Sequence, residues 1–440
     1  MSRYQPYPEY KYSGVKWIGE VPAHWEIKRL KNSIASCRNG IWGDDPVGNQ
    51  TDTPCVRVAD FDRQNLVVRL KQPTLRSLSE VEKKDRLLLK GDLILEKSGG
   101  GEKQPVGAVM LYDHGTEAVC SNFTARVSLK KGMNSSFWRY VHAAGYANQL
   151  NIPSIKQTSG IQNLDQRSYL DELAPLPDTG EQNQIASFLD RETTRLDTLI
   201  EKKERFIELL QEKRQALITQ AVTKGLDLDV PMKDSGVEWI GEVPAHWGLI
   251  KLRHHAGFLN SNVDKNSHDG EVPVRLCNYT DVYYNEFVDG EGEYMRATAS
   301  QDEIDRFRLQ VNDIVITKDS EDPQDIAIPA LITKSEDHFV CGYHLTIIRS
   351  GEKAAQRFLH RLFDSQAARA YFFQECPGVT RFGLNQNAIG AFTYGLPPTA
   401  EMRQIANFLD RETTRFDKLV DTTRQSIDLL KERRSSLITA

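Results

Sequence analysis

The chain has 440 residues, 39% hydrophobic and 27% charged, with 56 Lys+Arg against 61 Asp+Glu for a net charge of -5. That length predicts two or three domains with sizeable apolar cores. The acidic balance excludes a uniformly basic coat for nucleic acid, so DNA contact would have to come from local patches. No run approaches the roughly 20 apolar residues of a membrane helix. The opening MSRYQPYPEYKY has no apolar core like that of a secretory signal. Six scattered cysteines (Cys37, Cys55, Cys120, Cys277, Cys341, Cys376) form no C-x-x-C pair, and a reducing cytoplasm is the expected compartment.

The sequence is written twice. Residues 12–25, YSGVKWIGEVPAHW, return at 234–247 as DSGVEWIGEVPAHW, with 12 of 14 positions identical. Residues 184–200, QIASFLDRETTRLDTLI, return at 404–420 as QIANFLDRETTRFDKLV, with 13 of 17 identical. The offsets, 222 and 220, define two tandem halves, each ordered flank, body, tail. Similar ends suggest a shared partner or mutual contact. Divergent bodies suggest two different ligands of one kind.

In chain order, the first body alternates short β-branched runs with turn residues: CVRVADF, NLVVRL, GDLILEK, VGAVMLY and AVCSNFTARVSL. The second has VPVRLCNYTDV, DIVITK, IAIPALI and HFVCGYHLTIIRS. These predict strands of a mixed or antiparallel β-rich fold, with one helix in each body near 136–150 and 353–374. Each tail predicts a long helix. In the first, Ile185, Leu189, Leu196, Leu199, Phe206, Leu210 and Leu217 form a seam interrupted by Glu192, Lys203 and Lys213. In the second, the seam is Ile405, Leu409, Phe416, Leu419, Leu430 and Leu437. Gly225 supplies the first helix's stop. The expected architecture is α+β: two β-rich bodies in tandem repeat, separated by two long helices that pair as an antiparallel coiled coil with pseudo-two-fold symmetry.

Catalytic patterns are missing. Ser98-Gly99-Gly100-Gly101-Glu102-Lys103 lacks the spacing of a phosphate cradle and reads as a mobile loop after a strand. His338-x-x-Cys341-x-x-His344 has metal-ligand types, but its spacing alternates faces in a strand and no fourth ligand is evident. The tail carboxylates lie among lysines and arginines as a solvated or partner-facing surface. Trp17, Trp25, Trp239 and Trp247 recur in both copies, which favours anchors between body and helix over stacking platforms.

Three features resemble the specificity (S) subunit of type I restriction–modification systems. WIGEVPAHW at 17–25 and 239–247 looks like the lead-in to a target recognition domain. Gly91-Asp92-Leu93-Ile94 with Glu96-Lys97-Ser98-Gly99, and Asn312-Asp313-Ile314-Val315 with Thr317-Lys318-Asp319, are similar to that family's strand and loop. Thr158 to Leu164, then Leu176-Pro177, then Glu181-Gln182 and Gln184-Ile185-Ala186, is close to its exit into the helix. The second half departs, with Gly378 to Leu384 at the exit and Glu401-Met402 in place of Glu-Gln.

The resemblance implies flanks at 1–25 and 234–247, recognition domains at 26–178 and 248–398, a central helix and linker at 179–233, and a distal helix at 399–440. It implies a non-catalytic subunit whose two domains each read half of a bipartite, asymmetric double-stranded DNA target. The implied partners are two copies of the methyltransferase subunit and a restriction motor-nuclease subunit. S-adenosylmethionine, ATP and magnesium belong to those partners. A non-catalytic helical scaffold that binds protein alone is the competing expectation.

Residues 26–175 carry 21 Lys+Arg and 17 Asp+Glu, whereas 248–395 carry 15 and 21, so only the first body suits a phosphate-tracking surface on average. Base edges are read by forked and amide side chains on loops. The candidates are Lys97, Ser98, Lys103, Gln104, Lys156, Gln157, Ser159, Gln162 and Asn163 in the first body. In the second they are Lys318, Asp319, Tyr343, His344, Arg381, Asn385, Gln386 and Asn387.

Overall fold

The computed structural model describes residues 6–49, 52–158 and 160–439. The chain divides into two units: one holds the residues up to Lys202 plus those from Ser426, the other Lys203–Gln425. Each unit contains one body and a segment of each long helix.

In the first unit a six-stranded sheet runs in the order Ile34–Asn39, Thr124–Leu129, Leu93–Glu96, Val109–Leu111, Val67–Val68, Phe61–Asp62. A three-stranded sheet (Val119–Cys120, Asp52–Val56, Thr74–Ser77) accompanies it. The second unit has the order Gly257–Asn260, Leu345–Arg349, Ile314–Thr317, Pro329–Ile332, Phe287–Val288, with a three-stranded companion of Phe339–Cys341, Val272–Cys277 and Met295–Ala299. The companion sheets match in direction as well: Val119 lies parallel to Cys55, and Arg275 parallel to Phe339. Bodies that differ in sequence therefore share one topology.

The centre of each sheet explains the repeated Asp-apolar motif. Leu93, Ile94 and Leu95 are fully buried, as are Ile314, Val315 and Ile316. Alternate side chains point to opposite faces of a strand. Accordingly Ile314 and Ile316 join a core that includes the long helices, while Val315 joins the core between the sheets. Gly91 and Asn312, just before these strands, take left-handed φ of 96° and 74°, a conformation that glycine and asparagine tolerate best. The aspartates that follow are structural. Asp92 accepts from Arg126 at 2.6 Å and Ser128 at 2.7 Å, and Asp313 accepts from the Arg349 guanidinium at 2.7 and 2.5 Å.

Several expectations need correction. The single helix near 353–374 is two, Lys353–Phe363 and Gln366–Gln374, because the Ser365 hydroxyl caps the second by accepting from the Ala368 N–H. The end of VPVRLCNYTDV is helical, over Tyr279–Tyr283. Ser98–Gly99 is a short strand paired with Gln162 and Asn163, not a free loop.

The long helices span Thr179–Lys224 and Thr399–Thr439. The first, 46 residues, is about 69 Å long at 1.5 Å per residue. Gly225 follows it with φ 77° and donates its N–H to the Ala221 carbonyl. The helices run antiparallel in both units. In the first, Arg434 meets Asp197 at 2.9 Å, and Leu189 shares a core with Leu437 and Ile438. In the second, Arg214 meets Asp417 at 3.4 Å, and Leu210 lines a groove with Val420.

The buried stripe keeps alternating steps of four and three but not through every residue expected. In the first unit it is Leu189, Thr193, Leu196 and Ile200 on one helix and Ile427, Leu430 and Arg434 on the other. In the second it is Ile207, Leu210 and Arg214 on one helix and Thr413, Phe416, Val420 and Thr423 on the other. Phe206 and Leu419, read as seam residues, are exposed.

Two histidines give stability a pH dependence. Burial pushes His142 down to about 4 and His360 down to about 3. Below the ordinary imidazole value of about 6.5 the unfolded chain binds protons that the folded chain refuses. The stabilisation is present above that pH and is lost as pH falls, by up to about 1.4 kcal/mol per unit for each histidine. Urea midpoints should therefore decline from about pH 6.5 towards pH 5; a flat profile there would contradict the buried neutral rings.

Candidate nucleic-acid interface

The repeated ends meet each other within each unit. His24 Nε2 lies 3.0 Å from both carboxylate oxygens of Glu181, in the first turn of the long helix, and Trp25 Nε1 donates to the same carboxylate at 3.3 Å. His246 lies 2.8 Å from Glu401 at the equivalent place. Burial pushes Glu181 up, but donation from His24, Tyr7 and Trp25 outweighs it and holds the carboxyl below its usual range. Trp247 is fully buried, and Trp239 stacks on Phe392 at 5.0 Å. The tryptophans are anchors. Asp190 and Asp410, in the repeated FLDRETTR, bind arginines of the body: Arg139 in the first unit, Arg357 and Arg361 in the second. The repeated flank and tail thus fasten each body to its helix.

Each body also begins and ends on one paired ribbon. Glu26–Arg29 lies antiparallel to Leu173–Leu176, and Gly248–Lys251 antiparallel to Thr393–Leu396. Everything variable is strung between two adjacent points.

The candidate base readers gather at one corner of each body. In the first, strand Ser98–Gly99 pairs with Ile161–Leu164, which pairs with Ile155–Thr158. This unites Lys97, Ser98, Lys156, Gln157, Gln162 and Asn163. Ser98 Oγ donates to Asn163 Oδ1 at 2.6 Å, Lys97 Nζ to Asn39 Oδ1 at 2.5 Å, and Lys156 pairs with Asp165 at 2.7 Å. Gln162 is buried, and its carbonyl accepts the Val106 N–H, so it serves the fold. Lys103 and Gln104 are exposed on the adjoining turn, where they line a cavity with Arg63 and Tyr146. Ser159 lies outside the described residues.

In the second body, strand Asp319–Ser320 pairs with Phe382–Gly383. Asp319 Oδ1 lies 2.5 Å from His344 Nδ1 and 2.7 Å from an Arg381 terminal nitrogen. Tyr343 packs on His344 with ring centroids 3.6 Å apart. Lys318 is turned inward, donating to the Tyr343 and Ser261 carbonyls, and burial holds its ammonium below its usual range. Asn385 caps the helix Gln386–Ala391 by accepting from the Ala388 N–H, while Gln386 and Asn387 are exposed.

The structure adds residues that sequence reasoning missed. Asn39 holds Lys97 from a distant strand. Phe123 and Ile161 stand exposed at the first corner. Tyr279 stacks on Tyr283 at 5.5 Å beside Ser320 and Asp325, and Tyr284 is 76% exposed. Only the tyrosine-rich YTDVYY run could have hinted at the last group.

The acid excess of the second body is partly consumed internally. Glu286 pairs with Arg214 and Arg361, Glu303 caps a helix with Ser300, Asp313 holds Arg349, and Asp325 accepts from Tyr283.

This fold, two tandem β-rich bodies with two long helices, resembles that of type I restriction–modification specificity subunits. No family model matches the chain. Over 249 residues it is 24% identical to a protein described as the type I restriction enzyme MjaX specificity subunit of Methanocaldococcus jannaschii. That alignment covers 55% of each chain, so the match spans about half the length of the curated relative. Among solved structures, it resembles a chain from work on complex assembly and conformational transition of the type I R-M system, with a TM-score of 0.70, 14% identity, and 95% of this chain and 97% of that one covered. It also resembles the HsdS subunit from Thermoanaerobacter tengcongensis, with a TM-score of 0.56, 13% identity, and 95% and 96% covered. The resemblance read from the repeated motifs is borne out. Among the described residues, no helix is long and apolar enough to cross a membrane.

Proposed function

We propose that the chain is the DNA-reading subunit of a type I restriction–modification complex. Each body reads one half of a bipartite, asymmetric duplex target, and the paired helices fix the unread gap between the halves. The helices and repeated flanks dock two copies of a methyltransferase subunit, and a restriction motor-nuclease subunit joins for cleavage. The chain performs no bond chemistry itself. S-adenosylmethionine, ATP and magnesium are used by the partners, in the cytoplasm.

The observation that carries this reading is one framework used twice with different surface chemistry, as two unlike half-sites require. Loops held on a rigid scaffold suit variable recognition, and forked or amide side chains suit base edges. The test is methyl transfer to adenine in duplex DNA. The chain with its methyltransferase should modify one split motif, and the chain alone with methyl donor and Mg²⁺ should yield nothing. Product from the chain alone would overturn the non-catalytic assignment.

A further inference from the structure

The two corners can be aligned atom by atom through their backbones. Lys97 N–H donates to the Phe123 carbonyl and Lys318 N–H to the His344 carbonyl, both at 2.8 Å. The Leu164 N–H then donates to the Lys97 carbonyl at 2.8 Å, and the Leu384 N–H to the Lys318 carbonyl at 2.9 Å. Counting from these bonds, Ser98 corresponds to Asp319, Phe123 to His344, and Ile161 to Arg381. The first body presents hydroxyl, phenyl and aliphatic groups where the second presents carboxylate, imidazole and guanidinium.

In the second body the carboxylate is sheltered and the guanidinium is not: the Asp319 side chain is 17% exposed and that of Arg381 58%. One Arg381 terminal nitrogen donates to Asp319 at 2.7 Å and lies 3.0 Å from His344 Nδ1. Tyr343 is a further hydrogen-bond partner of the guanidinium, which stays more than half exposed. The guanidinium's exposed edge can present paired N–H donors. Two parallel donors match the O6 and N7 acceptors on the major-groove edge of guanine, whereas adenine offers a donor at the first of those positions. Holding a long side chain against a half-buried carboxylate reduces the ordering cost of contact.

We propose that Arg381 reads a guanine in the half-site of the second body, with Asp319 as the positioning residue that aims it. This rests on the DNA-reading function proposed above. The bland alternative is a surface ion pair that staples Asp319–Ser320 to the neighbouring strand. That staple would affect stability and leave base preference alone. The first body has Ile161 at the same place and cannot make the contact, so its half-site is an internal control.

The test uses the full chain in complex with its methyltransferase, bound to duplexes carrying every base pair at each position of the second half-site. The wild-type complex should require guanine at one position, with about 10- to 100-fold weaker binding to other bases. Replacing that base by 7-deazaguanine, which pairs normally but lacks the N7 acceptor, should reproduce part of the loss. Arg381→Ala should abolish discrimination there and sensitivity to 7-deazaguanine, with the first half-site and the thermal unfolding midpoint unchanged. Asp319→Asn should weaken discrimination less. Unaltered base preference in Arg381→Ala, with DNA still bound, overturns this assignment and leaves the DNA-reading function standing. Absence of sequence-dependent binding by the wild-type complex overturns both.

Discussion

Arg361→Met should destabilise the second unit by about 2 to 3 kcal/mol, since removing the buried guanidinium leaves two carboxylates each with one arginine fewer. The Arg361 side chain is 2% exposed, paired with Glu286 at 2.5 Å and with Asp410 at 2.7 Å. Glu286 also binds Arg214 of the first long helix, and Asp410 also binds Arg357. One guanidinium thus connects a loop of the body to both long helices. Methionine fills much of the same volume, so the loss is electrostatic rather than a cavity. Burial pushes Asp410 up, but Arg357 and Arg361 outweigh it and hold the carboxyl below its usual range. Adding Asp410→Asn and Glu286→Gln to Arg361→Met should recover part of the loss. A single-variant change below about 1 kcal/mol in urea unfolding, the range of exposed pairs, would show that the network is not holding the body.

On the proposed DNA-reading function, exchanging residues 26–175 for the body of another such chain should replace one half-site completely and leave the other unaltered. The ribbon between Glu26–Arg29 and Leu173–Leu176 closes the body at its base, so the exchange joins two neighbouring backbone points. The body's contacts with the helices include Arg139 and Tyr140 to Asp190, Gln64 to Asp197 and Asn134 to Gln182, and a donor body has to bring equivalents of these. Base-resolution protection of DNA by the reconstituted complex reads the result. A change in both half-sites would refute independent bodies.

The sequence made some of this legible because repetition is a contact record. The repeated AHW and the repeated tail survive together because His24, Trp25 and Glu181, like His246 and Glu401, touch each other. Helix length and stop followed from the absence of glycine and proline up to Gly225. The seam was only half legible. Thr193, Thr423 and Arg214 fall outside the expected seam but lie on the stripe, while Phe206 and Leu419 belong to the expected seam but are exposed. Apolarity alone does not give helical phase where a polar stem can be buried.

The corners were legible as residue types and not as an arrangement. Ser98 and Asn163 are 65 positions apart and meet through a two-residue strand, too short to register as a periodic pattern. Asn39, Phe123 and Ile161 carry no motif. Their relevance comes from pairings across the chain that no local spacing reveals.

If each body reads its own half-site, as proposed, base-resolution footprinting of the chain together with a methyltransferase subunit should show two short protected tracts of different sequence, separated by a fixed interval in which any base is accepted. A single continuous tract, two identical tracts, or no protection at all would rule out two unlike reading bodies.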